Sequence, residues 1–304
     1  MKRMTTLMAT ALSLAIATGT MAGCGSQQAQ QPAVTEATTE TTETAEAESP
    51  ETDATEGQEE LVVSDKSQEE LKAEFTSAMD NAPQCTSVTV EDETVSTFTE
   101  TGETIDQQAT YKFDESGETP KSSIEVSISD VQLSYYIDGN DVACVTDGPV
   151  YSGTVEEFGL ETSTTPESYL EQVIGKRGSL ADCAATIEKL ETSVMDIFVV
   201  TLDPQALIAS DETLQMLADS GSPVKAAKTS VGFDKEGNIA SIDSTIDYGT
   251  STIERHLLFS DYNATTIDPM PEATATYEQM MADEDAKLEE FLSMESNPEA
   301  TEAK

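Results

Sequence analysis

Residues 124–146 read IEVSISDVQLSYYIDGNDVACVT. Ile124, Val126 and Ile128 alternate with polar residues, and so do Val131, Leu133, Tyr135 and Ile137. A period of two marks a strand with one buried face. Asp138-Gly139-Asn140-Asp141 is turn chemistry, and Val142 to Thr146 runs back as a further strand. Links this short join antiparallel neighbours, because a parallel pair needs a crossover of a dozen residues or more. The segment therefore predicts an antiparallel meander.

The pattern extends in both directions. Upstream, SVTVEDETVSTFT (87–99) is rich in Val and Thr. In IDQQATYKF (105–113), Ile105, Gln107, Ala109, Tyr111 and Phe113 share one face. TGET and DESGETP supply the turns, so residues 86–147 read as consecutive antiparallel strands. Before them stands SQEELKAEFTSAMDNAP (67–83). Ser67 and Glu70 have capping-box spacing, and Leu71, Phe75, Ala78 and Met79 fall on one helical face. Pro83 disfavours helical backbone at Ala82, which predicts a helix over 68–81.

Downstream, Thr165-Pro166 opens a helix whose stripe is Tyr169, Leu170, Val173 and Ile174, with Gly175 past its end. Residues 180–192 fit either a helix face (Leu180, Cys183, Ala184, Ile187, Leu190) or a strand (ATIEKLETS). VMDIFVVTL (194–202) reads as a strand, and Asp203-Pro204 opens a helix expected to run to about Ser220. Strands over 224–233, 239–248 and 252–262 close the domain, the first two joined through DKEGN. Pro269 and Pro271 end the ordered region, so 66–271 is expected to be one α+β domain. The acidic tail 272–304, with a helical stretch around 275–293, is expected to attach weakly.

The chain's beginning has another character. Lys2 and Arg3 precede LMATALSLAIA (7–17), an apolar run too short to span a bilayer comfortably. Small residues lead to Met21-Ala22-Gly23-Cys24. This is the order of a secretory signal peptide, 1–23, whose last residues resemble a bacterial lipobox. The resemblance implies cleavage before Cys24 and a diacylglyceryl group, with palmitate-type acyl chains, on its sulfur. Two or more acyl chains give stable anchoring. Residues 24–65 carry 11 acidic side chains and no basic or aromatic one. Such a segment cannot bury apolar surface, so a disordered, extended tether is expected. The expected location is the outer face of the cell membrane, with the membrane itself as partner through the Cys24 lipid.

Acidity persists in the body of the chain: residues 66–271 hold 38 acidic against 11 basic residues. Nucleic acid is excluded as a partner, since phosphate contacts need a basic footprint. Cys85, Cys144 and Cys183 are an odd set without a Cys-x-x-Cys, so a metal or redox site is not expected; buried free thiols are, with one disulfide of any of three pairings plus a lone thiol as the alternative. The single His256 lies on the strand face opposite Ile253, Arg255 and Leu257, the place of a surface histidine. No Gly-x-Ser-x-Gly, phosphate loop, dinucleotide fingerprint or His-Glu-x-x-His is present. DESGE, DGND and DKEGN lack the spacing of a calcium loop and read as turns. No catalytic residue, cofactor or metal is expected.

One early helix, a run of strands, a helical break after YYIDGNDVACVTDGPVY and a final meander with FDKEGNIASI together resemble the LolA/LppX-like lipoprotein fold. The likeness covers 66–271 and points to lipid-anchored Gram-positive members. It implies a strongly curved antiparallel sheet, a half-barrel, with helices across its concave face and, in several members, acyl chains held between the layers. Two functions compete. One is an apolar or lipid ligand bound between helices and sheet. The other is a structural or protein-interaction lipoprotein whose core is filled by its own side chains. Alternation and helical spacing pick out the side chains of that layer. Leu71, Phe75, Leu170, Ile174, Leu207 and Leu214 from the helices should meet Tyr111, Leu133, Tyr135, Phe198, Ile246 and Leu257 from the sheet.

Overall fold

The first helix forms where the capping box places it. In the computed structural model, which describes residues 62–129, 131–160, 165–174, 179–283 and 286, α1 spans Gln68–Asn81. The Ser67 hydroxyl accepts from the Glu70 backbone N–H, and the Glu70 carboxylate accepts from the Ser67 N–H at 3.0 Å. The signal peptide, Cys24 and nearly all of the tether lie outside the described residues, as does most of the acidic tail. Among the described residues four more helices follow up to residue 219, α2 (Pro166–Ile174), α3 (Ser179–Asp182), α4 (Pro204–Ser210) and α5 (Glu212–Asp219), and residues 277–283 are helical again. Among the described residues no helix is long and apolar enough to cross a membrane.

The strands are β1 (Val62–Val63), β2 (Ser87–Phe98), β3 (Thr104–Asp114), β4 (Lys121–Ile128), β5 (Val131–Asp138), β6 (Asp141–Val145), β7 (Val150–Thr154), β8 (Ala184–Glu191), β9 (Met195–Leu202), β10 (Ala226–Asp234), β11 (Ile239–Asp247), β12 (Ser251–Ser260) and β13 (Ala275–Thr276). They make a single sheet in the order β1-β8-β9-β10-β11-β12-β2-β3-β4-β5-β6-β7-β13. Two meanders, β2–β7 and β8–β12, are thus sewn together where β12 pairs with β2. Every neighbouring pair is antiparallel except β13 with β7. The sheet is curved and does not close, because β1 and β13 at its two ends do not meet.

One face of this sheet carries the core. Val88, Val90, Asp92 and Thr94 of β2 are buried on it and lie opposite Phe113, Tyr111, Ala109 and Gln107 of β3. Next to them come Leu257 of β12 and Ile242 of β11 on one side, Val126 of β4 and Leu133 of β5 on the other. Side chains of the helices share this core: Leu71, Phe75, Met79, Tyr169, Leu170 and Leu214 are buried in one cluster with Val90, Tyr111, Phe198 and Leu257. Helix α1 is also pinned to the sheet by hydrogen bonds. The Gln68 side chain accepts from the Ile187 N–H at 2.8 Å and donates to the Ile187 carbonyl at 2.9 Å. It thereby satisfies a stretch of the β8 edge that the two-residue β1 leaves open.

Four features depart from the sequence expectations. The ambiguous segment 180–192 divides, with Leu180 and Ala181 in the short α3 and Ala184–Glu191 forming β8. The helix expected to run unbroken from 204 to about 220 is interrupted at Asp211. That residue adopts extended backbone, and its carboxylate caps the N–H groups of Thr213 (2.8 Å) and Leu214 (3.0 Å). A capping side chain offered in mid-helix competes with the helix itself. Third, the first meander continues past residue 147, where the sequence expectation ended it, with β7 pairing antiparallel to β6. Fourth, the sheet extends past both limits drawn from composition. Val62-Val63 pairs with Glu191 and Leu190, and Ala275-Thr276 pairs with Tyr151 and Ser152. Two-residue pairings carry no periodicity to read.

Candidate functional site

The twelve side chains expected to form the layer between helices and sheet separate into groups. Leu71, Phe75, Tyr111, Leu170, Phe198, Leu214 and Leu257 are buried in the main cluster, and Leu207 and Ile246 are half-buried against it. Phe75 is fully enclosed, its ring 5.3 Å from that of Phe198. Leu133 and Tyr135 belong elsewhere. They pack in a second cluster with Ile137, Val142, Cys144, Tyr151, Val155 and Phe158, closed by Tyr277 and Met280. These last two are half-buried and lie in the segment expected to be loosely attached, so part of the C-terminal stretch packs against the core. The backbone of Ile174 ends α2, and its side chain lies outside the described part of the structure.

A polar network within the main cluster did not emerge from the sequence reading. Asp92 (1% exposed) points into the core from β2. Arg255 of β12 donates from Nη2 to Asp92 Oδ2 at 2.5 Å and from Nε to both carboxylate oxygens at 3.1 and 3.2 Å. Thr94 donates to Asp92 Oδ1 at 3.0 Å. From α2, Tyr169 donates its hydroxyl to Asp92 at 3.4 Å and accepts from Arg255 at 3.2 Å. The Tyr169 ring covers Tyr111 and Phe113, with centroids 4.8 and 5.2 Å apart. Burial opposes the charge on Arg255, but Tyr169 and Asp92 outweigh it and hold its pKa above the ordinary arginine value. Burial likewise pushes the Tyr169 hydroxyl well above its usual range. A sequence signal for this network existed: Asp92 is in phase with Val88 and Val90, and Arg255 with Ile253 and Leu257. A charge at an inward position of a period-two run has to find a partner inside.

A second charged group borders a cleft of about 350 Å³ beside α1, β9 and β10. Lys189 (5% exposed) reaches Glu74 at 2.5 Å, Glu191 at 2.8 Å and Asp196 at 3.3 Å, and lies 5.5 Å from the Phe198 ring centroid. Lys66 adds a contact to Glu74, and Lys235 one to Asp196 at 2.6 Å. Burial works against ionisation of Glu74, but hydrogen bonds from Lys189 and Lys66 outweigh it and lower its pKa. For Asp196, burial is outweighed in the same way by Lys235 and Lys189. Carboxyls lowered in the folded state stabilise it above their unfolded pKa, and that contribution is lost as pH falls through the folded value. Thermal unfolding followed from about pH 7 to pH 2 should therefore show a midpoint that holds to about pH 5 and then declines. In Glu74→Gln the decline should be shallower, and an acid limb identical to the parent's would remove Glu74 from the account.

The single histidine is a surface residue: His256 contacts Asp243 on the neighbouring strand, both largely exposed. Asp234 holds its own turn, accepting from the N–H groups of Glu236 (2.8 Å) and Asn238 (2.9 Å), so DKEGN is a hairpin. Among the described residues no three His, Cys, Asp or Glu side chains are grouped to share a metal ion. Cys144 and Cys183 are buried free thiols and Cys85 is half-buried. Burial pushes the Cys144 thiol up to about 11, a hydrogen bond with Tyr135 offsetting part of the rise. Alkylation of native Cys144 at about pH 8 should be at least roughly a hundredfold slower than in urea, thiolate being the nucleophile. Equal rates in the two states would contradict its placement.

No family model matches the chain, and no curated protein matches it in sequence. Among solved structures it is similar to the lipoprotein LppX of Mycobacterium tuberculosis, with 15% identity over 66% of this chain and 99% of that one and a TM-score of 0.39. It is similar to LprF of Mycobacterium bovis, with 11% identity over 68% and 97% and a TM-score of 0.36. A LolA-superfamily protein of Nitrosomonas europaea matches with 7% identity over 66% and 94% and a TM-score of 0.24. The architecture itself rests on the strand order and register.

Proposed function

We propose that the protein is an extracytoplasmic lipoprotein, held on the outer face of the membrane through Cys24, which binds an apolar or lipid ligand between its sheet and helices and catalyses no reaction on it. The anchor follows from the signal sequence and the acidic tether behind it. What carries the binding reading is the interrupted core. The two clusters of buried side chains are separate, with the half-buried Ile124 of β4 touching both. On β3 and β4, Gln107, Tyr111 and Ser122 each bury polar side-chain atoms that have no hydrogen-bond partner. A layer packed only for stability ordinarily satisfies its polar atoms.

Native mass spectrometry of the protein gently extracted from the membrane in which it is made tests the reading. A co-purifying apolar molecule released on unfolding is the expected result. Its consistent absence, with the protein folded, would overturn ligand binding. The filled-core reading draws on one observation, the close fit of Phe75 against Phe198 and of Tyr169 over Tyr111 and Phe113. The anchor is tested separately by cell fractionation: Cys24→Ser should leave the protein unlipidated and shifted out of the membrane fraction.

A further inference from the structure

Five adjacent strands place a polar side chain at the same level of the core face. Reading across the sheet, Thr229 of β10 lies opposite Ser244 of β11, Ser244 opposite Arg255, Arg255 opposite Thr94, and Thr94 opposite Gln107 of β3. The row is polar through its middle and apolar at its ends, where Val200 of β9 and Ile128 of β4 continue it. Most of its polar groups are accounted for. Thr229 and Ser244 hydroxyls lie 3.3 Å apart, and Arg255, Thr94, Asp92 and Tyr169 bond to one another.

Gln107 is the exception. It is 1% exposed, and neither its amide oxygen nor its amide nitrogen has a partner. Four residues along the same face, Tyr111 is 6% exposed and its hydroxyl is also without a partner. Between them stands Ala109, whose methyl group is the smallest side chain on that stretch of β3. Leaving a buried amide unsatisfied destabilises the fold, because its desolvation is not repaid. An apolar residue at 107 would avoid that cost in a purely structural core.

The chemistry of the unused groups narrows the ligand. Asp92 and Arg255 compensate one another, so the site offers no uncommitted charge to a phosphate or carboxylate. Gln107 brings two donors and an acceptor, and Tyr111 one of each. Their complement is an uncharged group with both donor and acceptor capacity. Leu257 and Ile242 on one side and Val126 and Ile128 on the other give apolar rows along which hydrocarbon can lie.

We propose that Gln107 and Tyr111 hold the uncharged, hydroxyl- or amide-bearing head group of an amphiphile whose hydrocarbon lies along the apolar rows between sheet and helices. This rests on the ligand-binding reading given above and names the ligand class for it. Delipidated full-length protein is titrated with monoolein and with methyl oleate, which share an oleoyl ester and differ in a dihydroxypropyl group in place of methyl. The parent should hold monoolein about tenfold or more tightly than methyl oleate, as one hydrogen bond of about 1.4 kcal/mol gives. Gln107→Leu and Tyr111→Phe should each lose that preference while methyl oleate binding is unchanged. Gln107→Leu without ligand should melt at or above the parent temperature. If the parent binds both probes equally, or prefers monoolein and keeps that preference in both variants, the head-group assignment falls and ligand binding stands. Binding of neither probe overturns both. Tyr111→Phe, nearly isosteric, decides the matter should Gln107→Leu fail to fold.

Discussion

Asp92→Ala is expected to cost the folded domain about 3–5 kcal/mol. The carboxylate it removes accepts from Arg255 through three contacts and from Thr94 and Tyr169 besides. Arginine cannot shed its proton to escape burial, so its charge would be left in the core with its main partner gone. The loss measures a stranded charge more than the worth of the pair. Asp92→Leu with Arg255→Met should consequently lie much closer to the parent than either single change, because well-packed apolar side chains replace a buried ion pair at little or no cost. Urea unfolding of the parent, both singles and the double variant gives the comparison. A double variant as unstable as the sum of the singles would mean that the pair organises the sheet beyond compensating its own burial.

Phe75→Ala should also cost about 3–5 kcal/mol, by a different mechanism. Phe75 is fully buried on α1 and packs its ring on Phe198, which in turn lies edge-on to Phe233 at 5.9 Å. Removing the ring opens a cavity beneath a helix that has few other ways to collapse, since Gln68 ties its first turn to Ile187. The same variant bears on function. A ligand that borrows the space beside Phe75 would be retained differently after the change. A ligand held at Gln107 and Tyr111 would keep its head-group preference, as those residues lie on β3 and Phe75 covers β9. A destabilisation below about 1 kcal/mol would show that the ring faces open space.

What the sequence by itself determined is whatever repeats within a few residues. Alternation through Ile124, Val126 and Ile128 and through Leu133, Tyr135 and Ile137 specified strands and their inward face. The turn at Asp138–Asp141 set the second of these strands antiparallel to the one that follows it. Ser67 and Glu70 set the start of α1 to the residue. Each of these is written in contacts between near neighbours, which the chain carries wherever it goes. Tertiary structure decided what depends on distant partners. β12 joins β2 across more than 150 residues of chain, and only that register sets Arg255 against Thr94 and within reach of Asp92. Local periodicity marks both charges as inward-facing and is silent on whether they meet. The division of 180–192 into α3 and β8, the break at Asp211, and the parting of Leu133 and Tyr135 from the helix-covered cluster follow the same rule. In each, local preference was balanced or incomplete, and burial against the rest of the sheet settled the outcome.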